Sequence, residues 1–228
     1  MPYYYFDWTY IILLPALILA AYAQAKVSST YNKYAKVQAM TGLTAARMAR
    51  QLLDMNGLTE IAIQPVRGKL TDNYDPRHKV LNLSEATYNS ASVAALGVAA
   101  HECGHAFQDA ESYAPLRIRN SLVPIASLGS SAAWIIFIVG LLMSAPMLLR
   151  VGIICFVAVV AFQLITLPVE FNASNRALAS LEGGGFLTSE ELGQTNKVLR
   201  AAALTYVAAA LMAILQLLRM LALSGRRR

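Results

Sequence analysis

The sequence predicts a mainly α integral membrane protein, with about four transmembrane or membrane-associated helices and one small α+β region. Three observations carry this. Hydrophobic residues make up 57% of the 228 and charged residues 14%, against about 25% charged in soluble domains. Apolar runs at residues 8–23, 121–145, 147–169 and 201–223 approach or exceed the roughly 20 helical residues that cross a hydrocarbon core. Between the first two runs lies a longer mixed stretch with helical and β-like patterning. Mean hydropathy of +0.47 excludes a disordered chain and speaks against a purely soluble enzyme. The net charge of +6 does not indicate nucleic acid. Three of the basic residues end the chain, most others lie beside apolar spans, and no recognition motif accompanies them.

Residues 1–23 read as an N-terminal anchor. Its span, 8–23, follows an aromatic cluster of Tyr3, Tyr4, Tyr5 and Phe6, suited to the headgroup level. Asp7 and the lack of Lys or Arg before the span argue against a cleaved signal peptide. Residues 24–120 read as a water-facing region. Helical periodicity runs over 44–55, with Gly57 placed to stop it. Two β-like runs follow, 60–66 and 79–83, separated by the turn formers of 71–76. A second helix is expected over 92–109. Residues 121–169 form a hairpin of two spans, 121–145 and 147–169, with Pro146 and Arg150 at the connection. Residues 170–200 read as a helix carrying the third ligand and a Gly-rich loop of Gly183, Gly184 and Gly185, after which Thr188 to Glu191 fits a capping box that starts another helix. Residues 201–228 are a last membrane helix, interrupted by Gln216 and Arg219, and a basic tail of Arg226, Arg227 and Arg228. Cys103 and Cys155 imply no disulfide framework.

The chemistry concentrates in His101-Glu102-Cys103-Gly104-His105, an H-E-x-x-H pattern that takes two of the three histidines in the chain. On a helix, histidines four apart share a face and can hold one Zn²⁺. Glu102 then stands beside a water as general base. Residues 91–100 are nearly all apolar or small, so the helix is buried, and buried ionisable groups need partners. A metal supplies one. Cys103 faces away from the histidines and reads as packing. Gly104 allows close approach by a neighbouring element.

A catalytic zinc takes three protein ligands and keeps one position open. No further His follows at a suitable spacing, and His78 sits in a turn before a strand. The best third candidate is Glu170, a lone carboxylate at the end of an apolar run, where it is costly without a role. Asp109, Glu111 and Glu182 read instead as solvated charges.

Residues 71–76 (TDNYDP), 81–84 (LNLS), 99–106 (AAHECGHA) and 169–174 (VEFNAS) together resemble the YugP-type membrane zinc metallopeptidases. The chain also looks like a reduced relative of the HtpX-like and CAAX prenyl proteases, gluzincins with a membrane hairpin between the metal helix and the Glu ligand. The resemblance implies a zincin-like α+β catalytic region over 24–120 and one Zn²⁺ per chain. It also implies His101, His105 and Glu170 as ligands and Glu102 as the base. HtpX-like enzymes usually carry Asp four residues after the Glu ligand; here that position is Ser174, with Asn172 or Asn175 available to share its orienting task. The run 79–84, with Leu81, Asn82 and Leu83, is expected to be an edge strand that pairs with substrate. Arg176, or Tyr206, is a candidate partner for the substrate oxyanion.

The expected activity is a membrane-bound zinc endopeptidase acting on peptide or membrane-protein substrates. The alternative is a proteolytically inactive zinc-binding membrane scaffold or chaperone-like protein. An intramembrane protease is disfavoured by the short apolar run before His101 and the lack of a Leu-Asp-Gly motif. Lys26, Lys33, Lys36, Arg117, Arg119, Arg176, Lys197 and Arg200 lie on one side of the spans, with Arg150 across the hairpin. The positive-inside rule therefore puts the catalytic region in the cytoplasm, at the plasma (inner) membrane. The Arg226–Arg228 tail agrees only if the last helix does not cross.

Overall fold

A 3-10 turn at Trp8–Leu13 leads into α1 (Leu14–Tyr34), which outlasts its apolar run because nothing after Ala23 breaks a helix. The computed structural model describes residues 8–225, less the side chains of 128–130. The Tyr3–Phe6 cluster and the Arg226–Arg228 tail lie outside the described residues. After α1 come α2 (Ala45–Met55), β1 (Ala62–Val66), β2 (Asn73–Asp75), β3 (Val80–Ser84), α3 (Glu85–Tyr88) and α4 (Val93–Ala110). Three long helices complete the chain: α5 (Ala114–Leu142), α6 (Pro146–Gly183) and α7 (Ser189–Gly225). The fold class is the expected one, a mainly helical membrane protein with a small α+β region.

Local signals set most helix ends. Thr44 caps α2, its hydroxyl accepting from the Arg47 N–H, and Gly57 (φ 74°) ends it in the left-handed region. Ser92 caps α4 by accepting from the Ala95 N–H at 3.2 Å. The Thr188 box closes as expected: the Thr188 N–H donates to Glu191 Oε2 at 2.8 Å, and the Glu191 N–H donates to the Thr188 hydroxyl at 3.3 Å. Glu191 also accepts the Met40 N–H at 2.7 Å, which pins the segment after α1 to the start of α7. Its carboxylate is buried, so Glu191→Ala strands several donors at once. We expect a loss of about 1–3 kcal/mol, read as a fall of several degrees in Tm for the detergent-purified chain.

The chain divides into two units. One comprises Met1–Ala23, Ile118–Leu167 and Thr205–Arg228. Its core holds Ala133, Phe137, Leu149, Phe156, Val160, Ala213 and Met220. Ile135, Leu142, Met147 and Ile154 are exposed, as expected of side chains that face lipid. Among the described residues, three helices are long and apolar enough to cross a membrane: Trp8–Tyr34, Pro146–Gly183 and Ser189–Gly225. A fourth span results if the halves of α5, Ala114–Ser127 and Ser131–Leu142, bent by 43°, count as one. Pro124 lies one turn before that bend and removes the N–H that would meet the Asn120 carbonyl. The interruption expected at Arg219 is absorbed within this unit. Its guanidinium lies 3.7 Å from the Tyr10 ring centroid and 5.4 Å from that of Trp134, and its Nε donates to the Thr9 hydroxyl at 2.9 Å.

The other unit comprises Gln24–Arg117 and Pro168–Leu204. Its core joins Met48, Leu52 and Leu53 of α2, Leu81 and Leu83 of β3, Leu96, Ala99, Ala100 and Cys103 of α4, and Ala177 and Leu181 of α6. The sheet order is β1-β3-β2, with β1 parallel and β2 antiparallel to β3. Two expectations change here. Residues 73–75, read as part of a turn, form a strand: Tyr74 pairs with Leu81, and the turn follows, where Asp75 Oδ1 accepts the N–H groups of Arg77 and His78. The run with Leu81, Asn82 and Leu83 is not an edge. It is the central strand, and Leu81 and Leu83 are wholly buried.

Candidate metal centre

Helix α4 presents two faces. Leu96, Ala99, Ala100, Cys103 and Ala106 face the core, with Cys103 Sγ 3.9 Å from the Ala49 carbonyl of α2. Burial, with Glu102 beside it, pushes the Cys103 thiol well above its ordinary pKa, so it stays a neutral packing group. The opposite face carries Gly97, His101, Gly104 and His105, at positions i, i+4, i+7 and i+8. Gly104 has no side chain because α6 lies against it: a Cβ there would sit 2.4 Å from the Ala173 carbonyl oxygen. That close approach delivers Glu170, three residues before Ala173, to the two histidines.

Glu170 Oε2 lies 3.3 Å from His101 Nε2 and 3.6 Å from His105 Nε2. The imidazole rings meet edge to face, 4.8 Å between centroids. These separations exceed the roughly 2.7–2.9 Å of a tight charge-assisted N–H···O⁻ bond, and only the His101 contact falls within hydrogen-bond range. The 3.3 Å separation matches the edge of a tetrahedron with about 2.0–2.1 Å arms, and the three donor atoms all lie within 4.8 Å of one another. The Glu170 side chain is 2% exposed, so its charge needs a compensating cation. The three residues can therefore hold a metal ion, and their donor set of two imidazoles and one carboxylate suits zinc. At His105, burial opposes the imidazolium, but the neighbouring Glu170 and Glu102 carboxylates prevail and raise its pKa.

Behind the donors stand groups that orient them. The Ser174 hydroxyl lies 3.1 Å from His101 Nδ1. Gln108 Oε1 lies 3.0 Å from His105 Nδ1. An ion held by the two Nε2 atoms would leave each Nδ1 its proton, to be donated to these oxygens. Gln108 is wholly buried and anchored in turn, its Nε2 donating to the Val169 carbonyl at 2.8 Å and to Asn172 Oδ1 at 2.9 Å. Gln108→Leu, which keeps bulk but removes the acceptor, is expected to weaken zinc binding about 10–100-fold in chelator competition. Gln108→Glu keeps the acceptor and is expected to retain most of the affinity.

Glu102 approaches from the sheet side. Its Oε2 accepts the Tyr74 N–H of β2 at 3.0 Å. The Tyr74 hydroxyl donates to Asp109 Oδ2 at 2.9 Å, and Lys79 Nζ reaches the same oxygen at 2.6 Å. Burial and then Asp109 push the Tyr74 phenol above its ordinary range, so it remains a donor. The other residues singled out in the sequence are engaged elsewhere. His78 bonds Asp75 and is 77% exposed. Arg176 forks onto Glu111 at 2.6 and 2.7 Å and reaches Asn172 Oδ1 at 2.8 Å. That ion pair lowers the Glu111 pKa. Tyr206 belongs to the other unit. Tyr74 and Gln108 are the contributors that sequence reasoning missed. Gln108 had a signal, a polar residue one turn after His105 on a helix otherwise buried there; Tyr74 had none.

The model of the family described as "Putative neutral zinc metallopeptidase" matches residues 9–225. The chain belongs to this zinc metallopeptidase family. Among its curated relatives is the "Putative membrane protease YugP" of Bacillus subtilis (strain 168), 49% identical over 217 residues that cover 94% of this chain and 96% of that protein. No solved structure matches. The resemblance read from the four sequence stretches is borne out, and zinc is the cofactor of this metallopeptidase family.

Proposed function

We propose that the protein is a membrane-bound zinc endopeptidase, with one ion per chain held by His101, His105 and Glu170 and with Glu102 as general base. The observation that carries this reading is the 3.3 and 3.6 Å spacing of Glu170 from the two imidazoles. A zinc ion there supplies Lewis acidity toward a scissile carbonyl and acidifies water. Glu102 accepts the water's proton and returns it to the leaving amine. The Tyr74 N–H holds Oε2 of Glu102 and leaves Oε1 to take that proton.

Segments 24–120 and 170–200 carry the chemistry in this reading; 1–23, 121–169 and 201–228 hold the chain in the bilayer. An extended substrate needs an unpaired strand edge. β1 and β2 are both edge strands of the sheet, and β2 is the one beside the metal helix, its Tyr74 N–H meeting Glu102. The substrates are peptides, including membrane proteins. The basic residues flanking the first three spans favour the cytoplasm for the catalytic segments, at the plasma membrane; the Arg226–Arg228 tail fits this only if the last helix does not cross.

Elemental analysis of the full chain, purified in detergent without added metal, tests this. About one zinc per chain is expected, and close to none in Glu170→Ala. Cleavage of an unfolded membrane-protein reporter should stop on chelation and return with zinc. A chain that holds no zinc and takes up none on titration would overturn the reading.

A further inference from the structure

Residues of α6 and α7 line a cavity of about 370 Å³. Phe171, Leu178, Leu199 and Ala203 give it apolar walls, while Ser174, Asn175, Asn196 and Arg200 supply polar groups. The side chains of Asn175, Asn196 and Arg200 bond no protein group among the described residues, and those of Asn175 and Arg200 are exposed. One guanidinium, two carboxamides and a hydroxyl thus converge with no carboxylate among them. That set suits a phosphate, which Arg binds through its planar fork. The apolar walls suit hydrocarbon beside that phosphate. Both lining helices run on into the apolar segments Pro146–Leu167 and Thr205–Gly225, and Lys197 stands one turn before Arg200. Basic groups at the end of a membrane-crossing helix attract anionic lipid.

The cavity is not a substrate subsite of the metal centre. It reaches His101 through Ser174, whose hydroxyl meets Nδ1, whereas Nε2 on the other side of the ring faces Glu170. A hydroxyl can accept from one group while donating to another. Ser174 can therefore accept the His101 Nδ1–H and donate its own proton into the cavity.

We propose that this cavity binds the phosphate headgroup of an anionic phospholipid, and that Ser174 links its occupation to the metal centre. A negative charge at the end of the chain His101 Nδ1–H···Oγ–H···O–P strengthens both hydrogen bonds and makes His101 a better metal donor. The link, though not the lipid site itself, rests on the zinc reading above.

The test uses the full chain in nanodiscs of phosphatidylcholine, alone or mixed with phosphatidylglycerol. Native mass spectrometry counts the phosphatidylglycerol retained per chain, a readout independent of zinc. Arg200→Ala is expected to weaken retention about tenfold, while Arg150→Ala, a basic residue elsewhere on α6, leaves it unchanged. In chelator competition, wild-type protein should hold zinc more tightly in the mixed discs, and Arg200→Ala should abolish the difference. Equal retention by Arg200→Ala, or equal loss in Arg150→Ala, overturns the lipid site. Retained lipid with no change in zinc affinity overturns the link alone. Inorganic phosphate in lipid-free detergent that reproduces the zinc effect shows a soluble phosphate to be the ligand and overturns the lipid assignment.

Discussion

Glu102→Gln is expected to hold zinc as the wild type does and to lower kcat/KM on a peptide substrate by about 10²–10⁴. The amide keeps the size of the carboxylate, and its oxygen can still accept the Tyr74 N–H that now bonds Oε2. It cannot accept a proton from water. Glu102 is not one of the three residues that face the ion site, so metal content should not move. Zinc analysis and hydrolysis on the same preparation therefore separate the two roles. Tyr74→Phe is the companion variant: it keeps the backbone N–H on Glu102 and removes only the bond to Asp109. Its activity should fall much less. If Glu102→Gln cleaves as fast as the wild type, the general base lies elsewhere. If the zinc-loaded wild type cleaves nothing and Glu102→Gln leaves the cellular function intact, the scaffold reading takes its place.

The fold was legible where the signal was local. Thr188 announced a helix start and makes its capping bond, and the helices expected from 44 and 92 begin there, capped by Thr44 and Ser92. The H-E-x-x-H spacing set both histidines on one face of α4 before any packing was known. Glycine at 104 allowed a close neighbour, and α6 is that neighbour. Legibility failed where a position depends on pairing across sequence distance. Nothing in residues 60–84 says that the third strand lies between the first two; the order β1-β3-β2 follows from which backbone finds which partner. Residues 73–75 look like turn, and are held as strand by β3. Helix lengths were read short for a related reason. Hydropathy falls after Val169, yet α6 continues because Ala173, Ala177 and Leu181 keep a buried stripe at four-residue spacing. Gln108 escaped because its partners, Val169 and Asn172, are more than 60 residues away.

Gly104→Ala is expected to lower zinc affinity by about two orders of magnitude or more while leaving helix content unchanged. The added Cβ would meet the Ala173 carbonyl oxygen at 2.4 Å, its carbon at 3.1 Å and its Cα at 3.2 Å. All three are backbone atoms, so no rotamer can relieve the contact. Helices α4 and α6 must move apart, by roughly 1 Å to restore ordinary van der Waals distance. His105 adjoins Gly104, and Glu170 lies one turn before Ala173, so the shift goes directly into their 3.6 Å separation. Zinc tolerates about 0.2 Å at each ligand. The cost to stability should be smaller, about 1–3 kcal/mol, and metal loss should precede unfolding. Gly97 is the contrast on the same face. A Cβ there meets Thr195 Cγ2 at 2.7 Å, a methyl group that Thr195→Ser deletes. Gly97→Ala should thus be rescued by Thr195→Ser, while no side-chain change beside Gly104 can rescue Gly104→Ala. Chelator competition and circular dichroism on the four proteins decide it. Wild-type zinc affinity in Gly104→Ala would mean that the approach of α6 to α4 does not set the ligand spacing. The metal site would then depend on the orienting bonds of Gln108 and Ser174.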